Sequence, residues 1–516
     1  MHRLPIRTTI AALVALSLAG CHVGPHYQRP PALTQAPPAS YKESPANFPD
    51  DQATWKVAQP QDAMLHGKWW EIYKDPQLNS LEEKLNIDNQ SIKQAFSNFM
   101  ASRALISEAR SQLFPSVTFV PGYTHNETSA NNTSGAAAAA GVSSTAVVPQ
   151  NRQTSQISLP FDVSWQPDLW GRVRSQISAD QYNAQISAAD LENVRLSAQS
   201  SLAIYYFQLR GQDALKAVLD QTVASDQKAL DYNRAQYETG IVPEINVVEA
   251  QNTLENARAQ ATGLGIARAQ YEHAIAVLIG DAPSSFSIPV LPLETDLAPP
   301  IVPIGVPSQL LERRPDIAAS ERAMAAANAQ IGVATAAFYP TVTISAAGGL
   351  QSSSWKHLFD WSSRFWSVGP QVSQSIYDGG LRRATVNQYI ETYNADVASY
   401  RQVVLTAFQQ VEDYLASERI LSLQRQQQQA ALASAQRFVD LETTRYQTGI
   451  DPYINVVTAQ NTLLADEQTL ATSHTQQLTA SVQLIVALGG GWDSTQLPTP
   501  AQVSRKLSRS ETAIQR

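Results

Sequence analysis

The chain has 516 residues, a net charge of −8 and a single cysteine, with 37 Lys and Arg dispersed among 45 Asp and Glu. That balance argues against a nucleic-acid partner, since a phosphate backbone needs a concentrated basic surface, and one cysteine excludes an intrachain disulfide. Charged residues are only 16% of the chain, and Ala, Gln, Ser and Thr fill the gap, which suits long helices packed through small side chains in two or three domains or in two large repeats.

The chain opens MHRLPIRTTIAALVALSLAGC, with Arg3 and Arg7, an apolar run from Ile10 to Leu18, and small residues before Cys21. A basic start, a short apolar run and a small-residue cut site describe a secretory signal over residues 1–20, too short to span a bilayer. The Leu18-Ala-Gly-Cys21 ending resembles the bacterial lipobox, which implies a covalent N-terminal lipid on Cys21; an ordinary signal followed by a chance Cys is the alternative. His22 follows instead of the Asp that resembles an inner-membrane retention signal, so the resemblance implies outer-membrane lipid anchoring in a Gram-negative cell. Residues 21–77 read as a lipidated tether, rich in Pro, Gln and Ala and without period between 24 and 60.

Helical pattern begins near Leu78 and opens a first repeat, 78–282. Strands are predicted at about 116–124 (SVTFVPGYT) and 155–166, where Ile157, Leu159, Phe161, Val163 and Trp165 alternate with polar neighbours. The Ala- and Ser-rich stretch 126–151 between them reads as an exposed, mobile loop. A Pro-free run, Gly171 to Thr239, then predicts one helix of about 100 Å. Its apolar residues Leu191, Val194, Ala198, Leu202, Tyr205 and Leu209 recur at coiled-coil spacing. The helix is predicted to close at Gly240 and to return from Pro243 to Ile279, with Pro243 in the first helical turn. Gly263-Leu-Gly265 inside the return helix reads as close helix packing, since a lone GxG is no nucleotide site.

Residues 283–314 form a Pro-rich crossing. In Arg313-Arg314-Pro315-Asp316 the Pro and Asp fit a helix N-terminus, and the arginines are free for an ion pair, so a structural motif is expected. The plan then repeats over 315–489: strands at about 341–350 and 365–377, a Pro-free run from Gly380 to Thr448 with a stripe from Val397 to Leu415, and a return helix from Pro452 to Leu488. Residues 490–516 form a C-terminal tail. The two tips are nearly copies: YETGIVPEINVVEAQNTL (237–254) and YQTGIDPYINVVTAQNTL (446–463) share fourteen of eighteen positions, 209 residues apart. Gly and Pro alone satisfy a turn, so retention of the rest reads as a contact or gating surface.

The strands have the length of membrane strands, and Trp355, Phe359, Trp361 and Trp366 border them. A soluble half-buried sheet gives the same alternation. If they do cross a membrane, four strands cannot close a barrel, so two or three chains must pool them.

The chain resembles the TolC-like outer membrane factors of tripartite (RND-type) efflux pumps, in their outer-membrane lipoprotein (NodT-like) branch. The resemblance rests on Leu18-Ala-Gly-Cys21 with Val23-Gly-Pro25-His-Tyr27-Gln-Arg29-Pro30, on Asp168-Leu-Trp-Gly-Arg172, Leu310-Leu-Glu-Arg-Arg-Pro-Asp-Ile317, Arg364-Phe-Trp-Ser-Val-Gly-Pro370 and Tyr377-Asp-Gly-Gly380, and on the two tips. It implies an α+β membrane protein: a homotrimer whose four strands per chain make a 12-stranded outer-membrane β-barrel, continuous with a periplasmic α-helical barrel of long coiled-coil hairpins. It implies a passive exit duct for drugs or other small molecules, fed by a periplasmic adaptor and an inner-membrane pump, and no enzyme. The adaptor-contact tips would be Thr239, Gly240 and Ile241 with Thr448, Gly449 and Ile450.

In that family a Tyr, Arg and Asp set holds the second tip closed, and Tyr446 matches the tyrosine. Positions often acidic in relatives are Asn455 and Thr458 here, and a usually basic or polar position is Asp451. The departure leaves Ile454 as an apolar constriction, or Asp451, Glu244 and Glu249 as a weak cation-attracting ring, with Asn455 and Thr458 as neutral spacers the alternative. No metal site or other cofactor is expected: the histidines lack ligand spacing. The rival readings are a membrane-anchored coiled-coil adhesive trimer and a type I-like secretion channel. Cargo is open among drugs, solvents, aromatic acids and metals.

Overall fold

The computed structural model describes residues 23–33, 38, 40–43, 55–57, 67–127, 153–293, 300, 302–304, 307 and 310–505. Cys21, most of the loop at 126–151 and part of the Pro-rich crossing lie outside these residues. In chain order the elements are β1 (Trp55–Val57), α1 (Pro76–Asp88), α2 (Gln90–Ser111), β2 (Ser116–Phe119), β3 (Gly122–Glu127), β4 (Gln153–Trp165), α3 (Arg172–Glu238), α4 (Glu244–Leu278), β5 (Val302–Ile304), α5 (Leu310–Arg313), α6 (Pro315–Ala336), β6 (Thr341–Ser352), β7 (Arg364–Ser373), α7 (Leu381–Gln447), α8 (Tyr453–Ala487) and α9 (Pro500–Val503). The helices α3 and α7 have 67 residues each, α4 and α8 have 35 each, and α2 and α6 have 22 each. No described helix is long and apolar enough to cross a membrane.

The chain divides into two compact units. The first takes Met1–Gln28, Arg103–Tyr182 and Ala325–Asn394. Its centre is an antiparallel sheet in the order β2/β3, β4, β6, β7. The expected strand 116–124 is interrupted at Val120-Pro121, where proline has no N–H for the ladder, and both pieces pair with β4. β7 ends at Ser373, short of the expected Tyr377.

Register aligns the alternation of all four strands. Phe161 stands opposite both Phe119 and Gly348, Gly348 opposite Trp366, Val163 opposite Val117 and Ala346, and Ala346 opposite Val368. One face of the sheet therefore collects Phe119, Phe161, Val163, Leu350, Trp366 and Val368, while Thr118, Ser158, Asp162, Ser164, Ser345 and Gln371 fall on the other. A one-residue slip would exchange the faces, so the period of two fixes the pairing.

Two acidic residues start the long helices in this unit. Asp168 accepts from the backbone N–H groups of Val173 and Arg174, both at 3.0 Å, and pairs with the Arg174 guanidinium at 3.1 Å. Asp378 accepts from Gly380 N at 3.0 Å and pairs with Arg382 at 2.5 Å. Each satisfies N–H groups that the first helical turn leaves without a partner. The chain start also packs here: Asn328 Nδ2 donates to the Pro25 carbonyl at 3.0 Å, and a Cβ on Gly332 would lie 3.4 Å from Gly24.

The second unit takes Arg29–Ser102, Asn183–Met324 and Ala395–Arg516. Both apolar stripes line its interior: Leu191, Ala198, Leu202 and Leu209 of α3 are buried, as are Tyr400, Val404, Val411 and Leu415 of α7. Each large apolar side chain so buried contributes about 1.5–3 kcal/mol. The tether reading fails at its end, because Trp69, Trp70 and Tyr73 of a 3₁₀ turn are core residues. It fails again at β1, which pairs in parallel with β5 of the crossing. Tether and crossing are both rich in Pro, which hides such pairing from a search for period.

The crossing is also clamped by charge. Asp213 takes Arg210 at 3.3 Å, Arg268 at 2.7 Å and the Leu291 N–H at 3.1 Å, while Arg210 and Arg268 donate to the carbonyls of Pro289 (2.7 Å) and Ile288 (2.8 Å). Arg314 forms a two-point pair with Asp316 (3.0 and 2.7 Å) and donates to the Ala487 carbonyl at 3.0 Å, tying the start of α6 to the end of α8; Pro315 is the first residue of α6. The tail is packed at its start, with Trp492 buried and Gln185 donating to Pro498 at 2.8 Å. Among the described residues, Gly263 and Gly265 make no close helix contact, since a Cβ on either meets nothing within 4 Å. The close-packing expectation is corrected there.

Candidate functional site: the helix tips and the membrane sheet

The tips have the same backbone. At the first, Gly240 N donates to Tyr237 O (2.9 Å) and Ile241 N to Gln236 O (2.8 Å); at the second, Gly449 N donates to Tyr446 O (2.9 Å) and Ile450 N to Arg445 O (2.9 Å). These paired bonds close a helix in the Schellman manner, and they require a left-handed residue. Gly240 and Gly449 supply it at φ +72° and +73°. The Thr239 and Thr448 hydroxyls each donate back to their own helix, to Ala235 and Gln236 and to Thr444 and Arg445. Pro243 and Pro452 precede α4 and α8 as N-caps, one position before the first turn where they were expected. Ile241 and Ile450 are 69% and 65% exposed at the apex.

Side chains separate the tips. The Tyr446 hydroxyl donates towards Asn233 Oδ1 at 2.7 Å, with Gln236 Oε1 at 3.1 Å, so α7 is joined to α3. Its ring lies 5.2 Å from that of Tyr453 and 6.5 Å edge-on from Tyr232, beside the buried cluster of Leu230, Leu254, Val456 and Val457. Burial raises the Tyr446 phenol above its ordinary value. Its counterpart Tyr237 is 45% exposed.

Arg445 forms an ion pair with Asp451 across the second turn, and the guanidinium holds that carboxyl below the usual carboxylate range. The equivalent first-tip positions are Gln236 and Val242, which cannot pair. The sequence does not single out Arg445, Asn233 or Gln236: Arg445 stands one residue before the repeated segment, and Asn233 and Gln236 lie more than 200 positions from Tyr446. Thr458 donates to the Ile454 carbonyl at 2.9 Å, while Ile454 stays 47% exposed. Asn455 and Glu244 lie in the first turns of α8 and α4, Glu249 lies one turn further along α4, and Glu244 is exposed. Among the described residues, no group of three His, Cys, Asp or Glu is placed to hold a metal ion.

In the other unit, the apolar face of the sheet is open. Trp366, Val368, Val372, Val117, Phe119 and Phe161 are all at least 49% exposed, with Phe119 stacked on Phe161 at 4.7 Å. Aromatics border both ends: Trp355, Phe359 and Trp361 beyond β6, and Trp170 stacked on Tyr339 at 5.0 Å beside the start of β6. So wide an apolar face between two aromatic rims is unlike a water-facing surface and matches the lipid face of a membrane strand. Sheet and helical hairpins together define the class: an outer-membrane channel protein.

Comparison with known proteins gives the family. The model of the outer membrane efflux protein family matches residues 82–281 and again 306–490, and the chain belongs to that family. It is 30% identical over 495 residues to the toluene efflux pump outer membrane protein TtgF of Pseudomonas putida, covering 94% of this chain and 97% of the relative. It is equally 30% identical to the antibiotic efflux pump outer membrane protein ArpC of Pseudomonas putida, over 93% of this chain and 95% of that one. The solved outer-membrane channel OprN superposes with a TM-score of 0.79 at 26% identity, over 92% of this chain and all of that one, 100%.

Proposed function

We propose that this protein is the outer-membrane exit duct of a tripartite efflux system, passing small molecules from a periplasmic adaptor and an inner-membrane RND-type pump to the exterior without catalysis. The observation that carries it is the sheet with one apolar and one polar face in a chain that matches efflux outer-membrane proteins along nearly its whole length. The polar face would line water and the apolar face would meet lipid. Neither β2/β3 nor β7 has a further strand partner among the described residues, and such edges cost several kcal/mol per unpaired group in lipid. Three chains of four strands each would close a 12-stranded barrel, and the matched family supports three. The paired helix lengths and the double family match support two internal repeats.

Cys21 is proposed as the lipid attachment point. Gly24, three residues on, lies against α6 just before β6, within about 10 Å of chain reach. Acyl chains there would enter the same bilayer as the sheet.

The tips at Thr239, Gly240, Ile241, Thr448, Gly449 and Ile450 are proposed as the adaptor-contact surface. Tyr446, Asp451, Ile454, Asn455 and Thr458 of the second tip, with Glu244 and Glu249 of the first, would form the periplasmic gate. Arg313, Arg314, Pro315 and Asp316 are proposed as structural. The names of the two relatives, a toluene and an antibiotic efflux protein, favour organic compounds as cargo.

Two measurements test the reading. Purified protein in planar bilayers should conduct; none would favour the adhesive alternative. A deletion strain should become hypersensitive to antibiotics and solvents and be rescued by the wild-type chain but not by Cys21→Ala at equal expression. Sensitivity confined to copper, silver or zinc salts would move the cargo to metals.

A further inference from the structure

One carboxylate in the second unit lines two cavities without a counter-charge among the described residues. Asp226 of α3 is 3% exposed, and its Oδ2 is buried without a hydrogen-bond partner among the described residues. The buried Oε1 of Gln460, on α8, is likewise without one. Both line a cavity of ≈ 160 Å³ together with Thr222, Asn252, Asn256 and Asn461, contributed by α3, α4 and α8. A second cavity of ≈ 180 Å³ shares Thr222, Asp226 and Gln460 and adds Glu467. Among the described residues, no Lys or Arg lines either cavity. An isolated carboxylate out of water is costly, and the ordinary remedy is a cation or a proton.

We propose that the cavity around Asp226 is a weak binding site for a hydrated divalent cation of the calcium class. Every polar group lining the first cavity offers oxygen, as a carboxylate, amide or hydroxyl, and none offers the imidazole or thiolate that selects transition metals. At about 30 Å³ per water, the volume holds an ion with several of its waters. Asp226 and Glu467 give the adjoining cavities two negative charges, which a divalent ion balances. Burial pushes the Asp226 carboxyl up to about 6 and raises that of Glu467, because the charged form loses water there. With one carboxylate and neutral oxygens in the main cavity, affinity falls at the weak end for calcium, about 0.1–1 mM. The ion would bridge α3, α4 and α8 and so join the two helical hairpins.

The test is equilibrium dialysis of the purified full-length protein with radiolabelled calcium against a potassium background. One saturable site per chain is expected. Asp226→Asn should abolish it, and Gln460→Leu should shift the curve to several-fold higher calcium. Asp226→Asn is nearly isosteric and removes an unpaired charge, so its thermal melting should be unchanged or raised in calcium-free buffer, which separates lost binding from lost folding. No saturable binding up to roughly 10 mM calcium, as a cavity filled by water alone would give, overturns the proposal. So does binding retained in Asp226→Asn.

Discussion

The two helix tips share the φ of their glycines to within 1° and yet hold their side chains differently. Four of the eighteen repeated positions differ: Glu238, Val242, Glu244 and Glu249 in the first tip become Gln447, Asp451, Tyr453 and Thr458 in the second. The first tip keeps three carboxylates and leaves Tyr237 to solvent. The second removes three and adds one, Asp451, beside Arg445, and it turns Tyr446 onto the neighbouring helix. Tyr453 replaces a glutamate with a buried ring on which Tyr446 rests. Backbone geometry thus accounts for what the tips have in common. A few exchanges of charge for aromatic surface account for one being latched and the other not.

The largest expected effect tests what is common. Gly240 and Gly449 have open space where a Cβ would stand, so only their left-handed φ sets them apart, a conformation that costs an ordinary residue about 1–2 kcal/mol. Aspartate tolerates that region, so Gly449→Asp should fold, place a charge on the apex and abolish rescue of efflux in the deletion strain. Gly240→Asp should do the same if both tips face the same partner. Full resistance in both variants would end the docking assignment.

The next effect tests what differs. Tyr446→Ala should raise basal conductance in planar bilayers roughly tenfold, as hydrogen bonds and ring packing worth somewhat over 1 kcal/mol are lost. Tyr237→Ala should leave conductance unchanged. Equal responses at the two tyrosines would show that the side-chain asymmetry does not govern closure.

A pH effect should follow from Asp451. Arg445 lowers its folded pKa, so the pair contributes above the unfolded value of about 3.9 and is lost as pH falls through the lower folded value. Conductance should therefore hold steady from neutral pH down to about pH 4 and rise only below it. Asp451→Asn should show the raised value throughout. An acid step retained in Asp451→Asn would assign it to other carboxylates.

The smallest effect comes from building the second tip's pair into the first. Gln236→Arg with Val242→Asp recreates an exposed pair worth about 0.2–1 kcal/mol, to be read from thermal melting at low and high salt. Because Gln236 lies 3.1 Å from the Tyr446 hydroxyl, any accompanying rise in conductance would report the loss of that contact.

Much of the architecture was legible in residues that act on their neighbours in sequence. Pro-free runs with a 3-4 stripe marked α3 and α7, and Thr-Gly-Ile before Pro marked their ends, since helix propagation and closure are decided within one turn. Asp168 and Asp378 stood in recognisable motifs because a cap serves N–H groups two to six residues away. Period-two stretches marked the strands because the pleat alternates faces locally. What remained hidden was long-range. Nothing near Asp213 announces that it receives Arg268, 55 residues on, and Leu291, 78 residues on.

The same division holds at the site. The sequence by itself determined that two near-identical turns exist, that both need a left-handed glycine, and that Tyr446 is one of their repeated residues. Only the tertiary structure decided that Tyr446 meets Asn233 from a helix 213 positions away and that Asp226 faces a cavity without a counter-charge among the described residues. The physical reason is that backbone closure is a local property of a few torsions, whereas a side chain's partner depends on which helix the fold sets beside it.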